Sequence, residues 1–127
     1  MSRLIFRSDA QVSPLGSAIT PVALLGSNLL FNIVANASFK LSAASPTLRG
    51  LLTWQLIGNL AGFITVLTLT GLLRFFPLHV AYPVTTGLAV IGVQVVAASL
   101  LFHETISSEQ WLGTLLVAAG IVLIGRR

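Results

Sequence analysis

Charged residues are so widely spaced in this chain that long stretches have nothing to hold them in water. Leu51 to Leu73 runs without an Asp, Glu, Lys or Arg, opened by Arg49-Gly50 and closed by Arg74 and Pro77. At about 1.5 Å per residue a helix of that length covers about 34 Å, enough to cross a hydrocarbon core. Pro21 to Leu41 is a second such run, with Lys40 near its end. Leu78 to Phe102 is a third, with His79 near its start, and it stops at the polar loop His103-Glu104-Thr105-Ile106-Ser107-Ser108-Glu109. Gln110 to Gly125 is a shorter fourth, with Trp111 at one interface and Arg126-Arg127 able to snorkel to the other.

Each run is continuously apolar, whereas the strands of a membrane barrel alternate over about ten residues with polar turns between them. Composition agrees: 55% of the 127 residues are hydrophobic and 8% charged, against about 25% charged in a soluble domain. A soluble fold of this size has no interior large enough for so much apolar surface. The expected fold class is all-α, an integral membrane bundle of four transmembrane helices that pairs into a dimer. Residues 1–20 are expected to form an N-terminal tail with an interfacial segment around Leu4-Ile5-Phe6, and 21–127 the four-helix transmembrane domain.

Four spans put both termini on one face. That face holds Arg3, Arg7, Arg74, Arg126 and Arg127, the other Lys40 and Arg49. Five basic residues against two place the termini in the cytoplasm, with the chain in the inner membrane. The net charge of +4 follows from this bias and from attraction to anionic lipid; no basic-aromatic patch points to nucleic acid. The chain has no cysteine, so it has no disulfide, thiol nucleophile or thiolate metal site. Ala35-Asn36-Ala37 imitates a signal-peptidase site, but Asn28, Asn32 and Asn36 make too polar a signal core, and the segment is expected to stay.

Those asparagines are the most unusual chemistry in the chain. Asn28, Asn32, Asn36 and Lys40 recur every four residues, so on a helix they form one polar stripe that drifts slowly around an apolar cylinder. A buried amide without a partner costs about 1–3 kcal/mol, so the stripe is expected to face a helix interface or a hydrated groove. Gln55 and Asn59 on the second span and Gln94 on the third are the expected counterparts. The stripe serves either as substrate-binding surface or as structural glue between helices. Lys40 is an interfacial anchor or a ligand group. His79 and His103, at the two ends of the third span, are expected to be structural. No His/Glu spacing suggests a metal, and no cofactor is expected. Gly58 and Gly62 form a GxxxG pair, and Gly113 and Gly120 lie seven apart, spacings that let helices approach closely.

Ala81-Tyr82-Pro83, Gly87, Leu101-Phe102-His103-Glu104, Trp111-Leu112-Gly113 and Ala119-Gly120-Ile121-Val122-Leu123-Ile124-Gly125 together resemble the third and fourth helices of small multidrug resistance proteins, within the wider drug/metabolite transporter superfamily. The resemblance covers residues 21–127. The run from Gly113 through Leu115 to Gly120-Ile121 is similar to that family's helix-four dimerisation motif, which implies Gly113 and Gly120 at a dimer interface. Drug exporters of the family carry a membrane-embedded glutamate in helix one that exchanges protons for cationic drug. Aligned through Lys40, Asn32 stands in its place, and an amide does not titrate. The Tyr-Pro pair and the His-Glu…Ser…Trp-x-Gly loop look more like the subunits of the aminoarabinose–undecaprenyl-phosphate flippase. That implies a transporter rather than an enzyme, one that flips a phosphate-bearing lipid or lipid-linked sugar as a homodimer or with a paired four-helix subunit.

On this reading Asn28, Asn32, Asn36, Lys40, Gln55, Asn59, Tyr82 and Gln94 bind substrate, the amides taking the hydroxyl-rich head while Lys40 and Arg49 attract the phosphate. Two alternatives stand beside it: an exporter of small organic cations or metabolites, and a non-transporting partner subunit whose amides are purely structural. No nucleophile–base pair or carboxylate dyad supports catalysis.

Overall fold

The computed structural model describes residues 14–126, and the interfacial segment expected around Leu4-Ile5-Phe6 lies outside them. Among the described residues the chain is a bundle of four helices: α1 (Pro14–Ala44), α2 (Leu48–Leu72), α3 (Leu78–Gly92, continued by a π-helical segment Val93–Leu101) and α4 (Ser108–Gly125). All four are long and apolar enough to cross a membrane.

Two helices extend beyond expectation. α1 is already helical at Pro14, the first described residue, rather than from Pro21. α4 begins at Ser108 rather than Gln110, because Ser107 and Gln110 form a reciprocal capping box. Ser107 Oγ accepts the Gln110 N–H at 3.2 Å, and the Ser107 N–H donates to Gln110 Oε1 at 2.8 Å. α2 is capped by Thr47, whose hydroxyl accepts the Gly50 N–H at 3.1 Å.

The packing inverts that of a soluble domain. Apart from Leu72, the buried apolar side chains among the described residues are alanines, Ala35, Ala61, Ala81, Ala89 and Ala97, whereas Leu30, Leu56, Leu60, Phe63, Leu100, Leu115 and Leu116 point outward. Large apolar groups gain nothing by leaving lipid, so close approach of backbones holds the helices together instead. Gly58 receives the Phe39 ring, Gly71 receives Leu24, Gly87 receives Ile121 and Gly92 receives Leu29. α1 packs most extensively on α2 and also on α3; α4 packs mainly on α3, and its buried residue is Thr114. Pro21 and Gly125 line one cavity with Phe76, so the start of α1, the end of α4 and the α2–α3 turn share one end of the bundle.

The end of the third span has unusual backbone. The Phe102 N–H donates to Ala97 O at 2.9 Å and the Glu104 N–H to Ala98 O at 2.8 Å. His103 then takes φ 52°, the one described non-glycine residue with positive φ. This left-handed residue turns the chain so that Glu104 meets Lys40 of α1, Nζ to Oε2 at 3.0 Å.

A candidate substrate cavity on an amide ladder

The asparagine stripe is real, and its hydrogen bonds fix which atoms it offers. Asn28 is buried on α1, where Nδ2 donates to Thr65 O and to Thr68 Oγ1 of α2, both at 3.0 Å. Asn32 Nδ2 donates to Asn28 O and Asn28 Oδ1, again at 3.0 Å each. Asn36 Nδ2 donates to Asn32 O at 2.9 Å. In every case one acceptor is a backbone carbonyl, which only the NH₂ side of the amide can face, so the orientation of each amide is determined. The consequence is that Asn28 and Asn32 each spend both amide N–H groups inside the protein, while exposed Asn36 spends one and keeps one. Asn32 Oδ1 is left as an acceptor without a partner among the described residues, so within the cavity lining Asn32 offers an acceptor to whatever enters.

Asn28 and Asn32 line a cavity of about 190 Å³ with Thr65 of α2 and Tyr82, Thr85 and Thr86 of α3. Three helices therefore converge on the ladder. Thr85 also lines a second cavity of about 390 Å³, walled by Pro21, Val22, Leu25, Leu72, Phe76 and Val84. The partly polar cavity and the apolar one thus share Thr85 as a common wall.

The expected site residues divide on this geometry. Asn28, Asn32 and Tyr82 are brought together. Asn36 continues the ladder but is exposed and outside the cavity lining. Gln55 and Asn59 are not counterparts of the stripe: Asn59 Nδ2 donates to Gln55 O at 2.7 Å and to Gln55 Oε1 at 3.1 Å, an exposed pair on α2. The residues of α2 that turn inward are Gly58, Ala61, Thr68 and Leu72, so Gln55 and Asn59 fall on other faces. Gln94 is not a counterpart either, because its Nε2 donates to Thr114 Oγ1 of α4 at 2.6 Å. Lys40 is held by Glu104, away from the cavity. Gly113 and Gly120 have no neighbour where a side chain would begin, which leaves that face of α4 open.

Sequence reasoning misses Thr65, Thr68 and Thr85, although they complete the cavity wall and anchor Asn28. The signal is there: hydroxyls inside an apolar span must bond, and Thr68 and Thr85 each donate to a carbonyl in the preceding turn at 2.9 Å.

Neither a curated protein nor a solved structure matches the chain. A family model does, that of the Small Multidrug Resistance protein, over residues 21–117, which include all of α2 and α3 and the ladder of α1. With four apolar helices, a core of small residues and that match over most of its length, the chain is a multi-pass membrane protein that belongs to the small multidrug resistance family of transporters.

Proposed function

We propose that the protein flips a phosphate-bearing lipid or lipid-linked sugar across the inner membrane, both termini facing the cytoplasm. The observation that carries this reading is the junction at Thr85 between the amide-lined cavity and the apolar one. A head rich in hydroxyls donates to Asn32 Oδ1, while a hydrocarbon chain needs only the apolar wall beside it. Among the described residues no carboxylate lies on the ladder; Glu104 sits in the α3–α4 loop and Glu109 in the first turn of α4. Because Lys40 shares its charge with Glu104, attraction of the phosphate falls mainly to exposed Arg49, which forms no ion pair among the described residues.

Assembly into a homodimer or with a paired four-helix subunit belongs to the same reading. Phe39 packs on Gly58, which puts Asn36 and Asn59 at similar depth on antiparallel helices. Both are exposed, and an uncovered amide in hydrocarbon is costly. A second chain covering these faces, with Gly113 and Gly120 as its contact on α4, removes that cost. On this reading Asn36, Gln55 and Asn59 contribute to the substrate path only in the assembly.

A second reading, export of a small organic cation, draws on the same Asn32 acceptor, because an ammonium group is also a donor. Mass spectrometry of lipids retained by the purified protein, followed by flipping of the retained lipid in proteoliposomes, decides between them. Retention of a phosphate-bearing lipid that is flipped by the unmodified chain and not by Asn32→Leu supports the first. An unretained lipid, or equal flipping by Asn32→Leu, refutes it.

A further inference from the structure

The charges of the described residues are divided unevenly between the two ends of the bundle. At the end where α1 starts and α4 ends, the charged and imidazole side chains are Arg74 in the α2–α3 turn, His79 in the first turn of α3 and Arg126 after α4. Both described acids, Glu104 and Glu109, lie at the other end, where they match Lys40 and Arg49 in number. The first end is thus a basic rim with no described acid on it. The apolar cavity of about 390 Å³ opens at this rim: Arg126 follows its lining residue Gly125, Arg74 stands two residues before Phe76, and both arginines are exposed. Val22 and Phe76 in its wall are exposed as well, so the cavity is open to the bilayer. From Leu78 inward to Thr85, at about 1.5 Å per residue, it reaches about 10 Å below the rim. The one polar side chain in its lining is Thr85, whose hydroxyl already donates to Ala81 O at 2.9 Å and to Tyr82 O at 3.1 Å.

We propose that this cavity holds one acyl chain of an anionic phospholipid from the leaflet at that end, with the headgroup phosphate on Arg126 and with Arg74 as a second base on the rim. The wall and the rim select the class together. A chamber whose only hydroxyl has spent its proton gives water too few partners and takes hydrocarbon. A guanidinium holds phosphate oxygens in pairs, and each base at a membrane surface adds to the attraction for anionic lipid. A zwitterionic lipid brings its own cation to the same arginines, which offsets that gain, and a cationic amphiphile is repelled. This occupancy goes beyond the transport reading and does not depend on it; a transported lipid that uses the same cavity has to displace the resident chain.

The test uses the full chain in phosphatidylcholine nanodiscs, doped with phosphatidylglycerol or with phosphatidylcholine that carries the same acyl chains and a spin label on one of them, and read as broadening of backbone amide resonances. Labelled phosphatidylglycerol should broaden Val22, Leu25 and Val84 saturably, at a lipid fraction at least about fivefold below that needed with labelled phosphatidylcholine, the weight of one base at an anionic surface. Outward-facing Leu30 and Leu56 should be broadened alike by both. Arg126→Gln should remove about fivefold of the preference, and Arg126→Lys should keep most of it. Arg49→Gln, which removes a base at the opposite end, should leave it unchanged. Val84→Phe fills the chamber and should abolish the broadening at Leu25 with the rest of the spectrum in place. Equal broadening by the two lipids overturns the proposal, as does broadening confined to Leu30 and Leu56, or an Arg126→Gln variant that keeps the full preference. A protein that binds phosphatidylglycerol in this way and flips no lipid leaves the site standing and removes the transport reading alone.

Discussion

Asn32 turns its amide nitrogen back onto Asn28, donating at 3.0 Å to both the backbone carbonyl and the side-chain oxygen of that residue. One turn of helix therefore separates two amides with different work. Asn28 spends its donors on α2, and Asn32 spends its donors on Asn28 and keeps its oxygen free. Replacement should separate them. Asn28→Leu removes two cross-helix bonds and should destabilise the bundle by about 1–2 kcal/mol in detergent unfolding. Asn32→Leu should cost under about 1 kcal/mol and abolish transport. Parallel loss of stability and activity in both variants would mean that the ladder is glue.

Transport should be indifferent to an imposed proton gradient, because among the described residues no carboxylate lies on the ladder. Asn32→Glu should create a dependence. A charge near the bilayer centre costs about 2.5–3.5 kcal/mol, but the side chain opens on a cavity of about 190 Å³, and the variant should fold. A gradient that drives the unmodified protein, measured as uptake with and without an ionophore, contradicts this.

The glycines should behave as two classes. A side chain at Gly58 would enter the Phe39 ring, so Gly58→Ala should destabilise the α1–α2 contact by about 1–3 kcal/mol, the cost of overpacking. A Cβ at Gly113 or at Gly120 meets nothing within 4 Å, so leucine at both positions is directed at a partner chain. It should leave the unfolding curve in place and disperse the assembly, as read by cross-linking and mass photometry.

His103 sits at φ 52°, where a β-branched residue is disfavoured by about 1–2 kcal/mol. His103→Val should lower the melting temperature, whereas His103→Gly should keep or raise it. If the two substitutions behave alike, the turn that delivers Glu104 to Lys40 does not depend on backbone conformation.

A single insertion orientation is expected from the basic bias, so cysteines introduced beside Arg74 and beside Glu109 should label from opposite sides of the membrane. Equal labelling of each from both sides would indicate dual topology and an antiparallel pair.

The fold is written in charge spacing. The run from Leu51 to Leu73 is long, uncharged and bounded by Arg49 and Arg74, and in lipid such a segment has one way to satisfy its backbone. The period of Asn28, Asn32 and Asn36 likewise guarantees a stripe on one helix face, because that follows from the helical repeat alone. The partners of the stripe are another matter. Gln55 and Asn59 are plausible counterparts by composition, yet helix rotation turns Gly58, Ala61 and Thr68 inward and leaves the α2 amides to bond each other. Gln94 goes to Thr114, and Lys40 to Glu104. Rotation is set by where small residues allow backbones to meet, a property of pairs of helices that no single helix encodes. Hence the sequence determined how many helices there are and what each carries, while the packing of Phe39 on Gly58 and Leu29 on Gly92 decided which groups meet.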